Sequence, residues 1–137
     1  WSKAKNTAGG CTNYDTCGNN PQLQLVVESK NSGQPVEVFL QLTRQSVGRS
    51  DFSLSIGFEV YNLDGKKVTG RNGLGKALLF SSDQGYRRLP NALYDGSIQA
   101  TGATPLTVLM TTFEPDQESK FRFTVHYKHA QGTVKLQ

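Results

Sequence analysis

An all-β fold, an antiparallel β-sandwich of about eight strands, is what this sequence predicts, and three observations predict it. Apolar and polar residues alternate with period two through most of the chain, clusters of glycine, asparagine and aspartate interrupt that alternation, and no stretch sustains a helical period. Composition agrees: 36% hydrophobic and 19% charged residues fall below the roughly 45–50% and 25% of average soluble domains. Glycine, serine, threonine, asparagine and glutamine fill the difference. A chain of 137 residues suits one domain burying roughly two thirds of its unfolded surface, with residues 1–20 as an irregular opening segment and 21–137 as the sandwich.

Taken in order, "TAGGCTNYDTCGNN" is turn chemistry ahead of the first apolar run. "PQLQLVVES" alternates Leu23, Leu25 and Val27 with polar partners. "PVEVFLQLTRQ" puts Val36, Val38, Leu40 and Leu42 on one face and Glu37, Phe39, Gln41 and Thr43 on the other, and "NSGQ" between the two makes them read as a hairpin. Phe52, Leu54, Ile56, Phe58 and Val60 share a face in "FSLSIGFEVYNL", where Gly57 suggests a bulge or a close backbone neighbour. Asp64-Gly65 is a two-residue hairpin signal, because glycine accepts the positive φ of such turns. "TGRNGLG" reads as a loop and "KALLFSS" as a buried strand; with no helix pattern and no Gly-Lys-Ser/Thr following, the loop lacks the marks of a phosphate cradle. "GYRRLPNALYDGSIQATG" parses as two short strands around an Asp95-Gly96 turn. "PLTVLMTTFEP", "KFRFTVHYK" and "TVKLQ" complete the set.

Charge is uneven. Residues 1–65 carry five basic and six acidic groups, residues 66–88 six and one, and residues 89–137 four of each, so the net +4 resides in the middle segment. The longest apolar run, Leu106 to Met110, is far shorter than the ~20 residues a membrane-spanning helix needs, and no signal peptide is evident. Starting at Trp1 without methionine, the chain reads as a piece of something longer. Cys11 and Cys17 in a C-x5-C arrangement, with no Asn-x-Ser/Thr site, point to reduced thiols in an intracellular protein.

Three motifs in order, "TAGGCTNYDTCGNNPQLQL", "IGFEVY" and "TTFEPDQESKFRFTVHYK", resemble the C2-like domain III of calpain-family cysteine proteases over nearly the whole chain. The matching positions are Thr7 to Cys11, Asn20 to Gln22, Ile56 to Phe58, and Thr112, Phe113 and Pro115. The resemblance implies an eight-stranded C2-like sandwich that accompanies a papain-like core without containing its catalytic residues, serving as a scaffold or regulatory module. It also implies partners: the protease core and other domains of the same polypeptide, and anionic phospholipid or partner proteins at a peripheral membrane site. The long acidic loop of some calpains is missing, since Asp15, Asp51, Asp64, Asp83, Asp95 and Asp116 stand singly. Its calcium-linked role is therefore not carried over.

The residues themselves narrow the chemistry. A thiol nucleophile needs a histidine partner and a field that lowers its pKa, yet no helix follows Cys11 or Cys17, and Cys11 reads as a small buried apolar group. Zinc is countable from Cys11, Cys17, His126 and His129, but residues three apart on a strand point to opposite faces. No cofactor is expected, with calcium at the sandwich loops the one left open. Lys66, Lys67, Arg71, Lys76, Arg87 and Arg88 are the candidate anion-binding residues, suited to phospholipid headgroups; the bland alternative is solvated strand ends guarded by lysine. Nucleic acid is not expected, because the aromatics Phe39, Phe52, Phe58, Phe80, Phe113, Phe121 and Phe123 occupy apparent core positions. Trp1 either packs against a neighbouring domain or frays. Two other classes stay open: a stand-alone lipid- or protein-interaction module without a protease core, and a secreted, disulfide-closed carbohydrate-binding sandwich.

Overall fold

Alternation decides which way each side chain points, and β2 (Val36–Gln45) obeys it: Val36, Val38, Leu40 and Leu42 are fully buried while Glu37, Phe39, Gln41 and Thr43 face away, half-buried. The computed structural model describes residues 1–45, 54–82, 93–100 and 104–137, with only the backbone described for 93–97. The other strands are β1 (Gln22–Ser29), β3 (Ile56–Tyr61), β4 (Leu78–Ser81), β5 (Leu93–Ala100), β6 (Leu106–Thr112), β7 (Lys120–Tyr127) and β8 (Gly132–Leu136). They form a five-stranded sheet in the order β4-β3-β6-β1-β8 and a three-stranded sheet in the order β5-β2-β7, antiparallel throughout. The fold is the expected all-β sandwich. Among the described residues no helix is long and apolar enough to cross a membrane.

Leu25 and Val27 of β1, Ile56, Phe58 and Val60 of β3, and Leu106, Val108 and Met110 of β6 meet the buried row of β2 between the sheets. Phe121, Phe123, Val125 and Tyr127 of β7 close the core from the other side. Phe58 anchors it, with Phe80 and Phe123 at ring-centroid distances of 5.5 and 5.4 Å.

Several local expectations give way to long-range pairing. The "NSGQ" turn forms, with Gly33 at φ 78° and the Gln34 N–H donating to the Asn31 carbonyl at 2.9 Å, but it carries the chain between sheets. β1 pairs with β6 and β8, and β2 with β5 and β7, so there is no β1–β2 hairpin. Asp95-Gly96 is no turn either: β5 runs straight through it, Gln41 opposite Asp95 and Leu40 opposite Gly96, within an unbroken ladder from Thr43 to Val36. Gly57 lies in continuous register with Thr111; the irregularity falls instead between Val60 and Tyr61, on the β4 side.

Exposure corrects three more. Among the described residues β4 is an edge strand, not a buried one, and Leu78 and Leu79 are 39% and 54% exposed. Phe113 lies in the turn after β6 and is exposed, not a core residue, and Phe39 faces outward beside His126; Phe52 lies outside the described residues. Trp1 is neither frayed nor turned toward another domain: its indole N–H donates to the Met110 carbonyl at 2.9 Å and its ring lies 4.5 Å from that of Phe121.

Candidate functional site

The opening segment and the loop over residues 62–77 cover β3 and β6 on the outer face of the five-stranded sheet. Cys17, Val68 and Leu74 pack there on Tyr61 of β3 and Leu109 of β6, with Leu63 and Ala77 at the margin. This layer explains why β3 and β6 are buried on both faces.

Its folding depends on the motifs that the sequence sets far apart. Asn20, buried, accepts at Oδ1 from the Gly9 N–H (3.1 Å) and donates from Nδ2 to the carbonyls of Gly10 (2.6 Å) and Cys17 (2.9 Å). The Cys11 N–H donates to the Phe113 carbonyl at 3.2 Å, and the Asp116 N–H to that of Ala8 at 2.9 Å. Gly10 sits at φ 77°, where a Cβ would come within 2.8 Å of Pro115 Cδ, so only glycine fits both conformation and contact. "TAGGC", "NP" and "TTFEP" are thus one interlocked corner.

A second set of contacts docks the basic loop. Asp64 and Gly65 both have positive φ (52° and 74°) and the Lys66 N–H donates to the Leu63 carbonyl at 3.0 Å, so the expected tight turn forms. No strand follows it, however, because side chains of β1 take the place of a partner strand. Gln22 accepts from the Val68 N–H at 2.8 Å and donates to the Val68 carbonyl at 2.9 Å, and Gln24 donates to the Gly65 carbonyl at 2.6 Å. Gly18 meets the loop so closely that a Cβ would lie 2.6 Å from the Thr69 carbonyl carbon.

Of the six predicted anion-binding residues, Lys66, Lys67, Arg71 and Lys76 lie on this loop and are exposed; Arg87 and Arg88 lie outside the described residues. Lys66 and Lys67 line a cavity of about 240 Å³ with Gln22, Gln24 and Thr107. Arg71 is engaged within the chain: Nε is 2.8 Å from Asp15 Oδ1 and Nη1 donates to the Asn13 carbonyl at 3.1 Å. It clamps the opening segment to the loop. Lys66, Lys67 and Lys76 make no ion pair among the described residues.

Both cysteines are free and buried. Cys17 lies in a 3-10 turn, Asp15–Asn19, that the sequence did not suggest. Burial pushes its thiol pKa up and the Glu59 carboxylate pushes it further, the opposite of what a thiolate nucleophile requires. His126 and His129 are exposed, His126 Nε2 lying 3.1 Å from Gln41 Oε1. Among the described residues no three His, Cys, Asp or Glu side chains gather into a metal-binding group.

One feature escaped the sequence reading. Lys120, Arg122, His126 and Lys128 all stand exposed on the outer face of the three-stranded sheet. Their alternate spacing in "KFRFTVHYK" was the available signal, hidden because residues 89–137 have no net charge.

A search of curated proteins returns no match for the chain. The family model "Calpain large subunit, domain III" matches residues 1–126, which takes in the interlocked corner, the basic loop and β7 up to His126. The chain belongs to the calpain large subunit domain III family.

Proposed function

We propose that this non-catalytic calpain domain acts inside the cell as a scaffold or regulatory module, positioning a papain-like protease core of the same polypeptide and bringing it to anionic membrane surfaces. The observation that carries the membrane contact is the loop over 62–77, on which Lys66, Lys67 and Lys76 are exposed and unpaired among the described residues. A basic residue near an anionic bilayer contributes ~1 kcal/mol, so three together support weak, salt-sensitive recruitment of the kind that regulates rather than anchors. Because Arg71 is held by Asp15, it adds less than its charge suggests.

Sedimentation with anionic and neutral liposomes at low salt is the test. Wild type is expected to pellet with anionic vesicles only, Lys66→Glu combined with Lys67→Glu to lose most of that binding, and Arg71→Gln to lose much less. Equal binding to neutral vesicles, or binding that survives both lysine reversals, overturns the membrane contact. A second reading, a protein-interaction module without a protease core, is favoured by exposed Leu78 and Leu79 on edge strand β4. A gene lacking an adjacent papain-like core with its Cys, His and Asn would decide for it.

A further inference from the structure

We propose that the edge of β7 is a docking site for an extended acidic protein segment, one that adds as a strand beside β7 with acidic side chains at alternate positions. β7 pairs with β2 alone among the described residues, so its other edge is the border of the three-stranded sheet. Phe121, Phe123, Val125 and Tyr127 turn into the core, which sends Lys120, Arg122, Thr124, His126 and Lys128 outward as one row. Lys120 and Arg122 make no ion pair among the described residues. Lys128 is paired with Glu37 of β2, the one acid of that strand.

Charge and spacing together select the partner. Alternate residues of any strand recur every ~6.6–6.8 Å, so an added strand would repeat its outward side chains at the interval of this row. Directly opposed residues on neighbouring strands lie close enough for opposite charges to attract and like charges to repel. An extended segment with acids at alternate positions meets both conditions; a basic or mixed one does not. Lysine on an edge also discourages indiscriminate strand addition, and an acidic partner is the one for which that barrier becomes an attraction. The site is separate from the loop over 62–77 and does not depend on the membrane reading.

The test uses a fluorescently labelled peptide with glutamate alternating with threonine, beside an isomer of identical composition with the glutamates contiguous. Anisotropy titrations against the chain at low salt should show the alternating peptide binding at least tenfold tighter. Lys120→Glu combined with Arg122→Glu should weaken it at least tenfold, whereas Lys66→Glu with Lys67→Glu should leave it unchanged; both sites are exposed, and thermal unfolding confirms that the variants fold. Equal affinity for the two isomers reduces the row to non-specific charge and overturns the proposal. So does peptide binding that survives the Lys120 and Arg122 reversals, or anionic-vesicle binding that those reversals abolish while the peptide does not bind.

Discussion

The two sheets of this sandwich share a core but differ on their outer faces. In the five-stranded sheet, the opening segment and the loop over 62–77 cover β3 and β6, which are consequently buried at every residue. In the three-stranded sheet, β2 and β7 keep the alternation of strands with one face toward water, their outward residues half-buried to exposed. What differs is the use of irregular chain: on one side loops become a third layer with its own apolar cluster, on the other the cations of β7 stand exposed. Coverage stabilises, whereas exposed side chains are available for contact. The contrast also divides the calpain-type motifs, since "TAGGC", "NP" and "TTFEP" serve the covered side.

The largest effect expected of that contrast is on stability. Leu109→Ala empties a fully buried position on the outer face of β6 and should cost about 2–5 kcal/mol, as much as Leu40→Ala between the sheets. Thr124→Ala, on the outward row of β7, should stay within about 0.5 kcal/mol. Urea denaturation measures all three. A Leu109→Ala cost in the surface range would mean that the covering layer is only loosely apposed and that the two faces differ little.

Asn20→Ala probes the polar part of the cover. It removes one acceptor and two donors from the buried Gly9, Gly10 and Cys17 backbone, and leaving such groups unmatched should cost about 2–3 kcal/mol. Gln41→Ala, on the outer face of the three-stranded sheet, loses its contact with exposed His126 and should change stability by less than about 0.5 kcal/mol. The same denaturation series reads both, and equal costs would remove the distinction between the faces.

The unevenness of what the sequence disclosed follows the same division. The rows Val36, Val38, Leu40, Leu42 and Ile56, Phe58, Val60 were legible because period-two alternation is a local signal, and those residues fill the core. Pairing is not local. A turn such as "NSGQ" specifies reversal but not partnership, which is why an expected hairpin is a crossing between sheets. Asp95-Gly96 has the chemistry of a turn, yet an unbroken ladder to β2 outweighs it. Leu78 and Leu79 look like core residues until β4 is known to be an edge. The candidate site was half legible: charge counting located the lysines of the loop over 62–77, but could not tell that Asp15 holds Arg71, nor find a basic row where the segment total is zero.

Cys17 gives the smallest and most local test of the covered face. Its thiol is fully buried, and its pKa is raised first by that burial and then by the Glu59 carboxylate. A folded-state pKa above the unfolded one means that the native state holds the proton more tightly. The contribution is therefore intact below the ordinary thiol value of about 8.5 and is lost as pH rises from there toward the folded value, by at most about 1.4 kcal/mol per pH unit. Denaturation at pH 7 and pH 9.5 should show wild type losing more stability than Cys17→Ala over that interval. A thiol reagent at pH 8 should find neither cysteine in the native chain and both after unfolding, since Cys11 is buried as well. Rapid native labelling of Cys17, or an identical pH response in Cys17→Ala, would show that water reaches the layer between the opening segment and the sheet. The covered face would then be wet, and Leu109 would have to lose its large expected cost along with it.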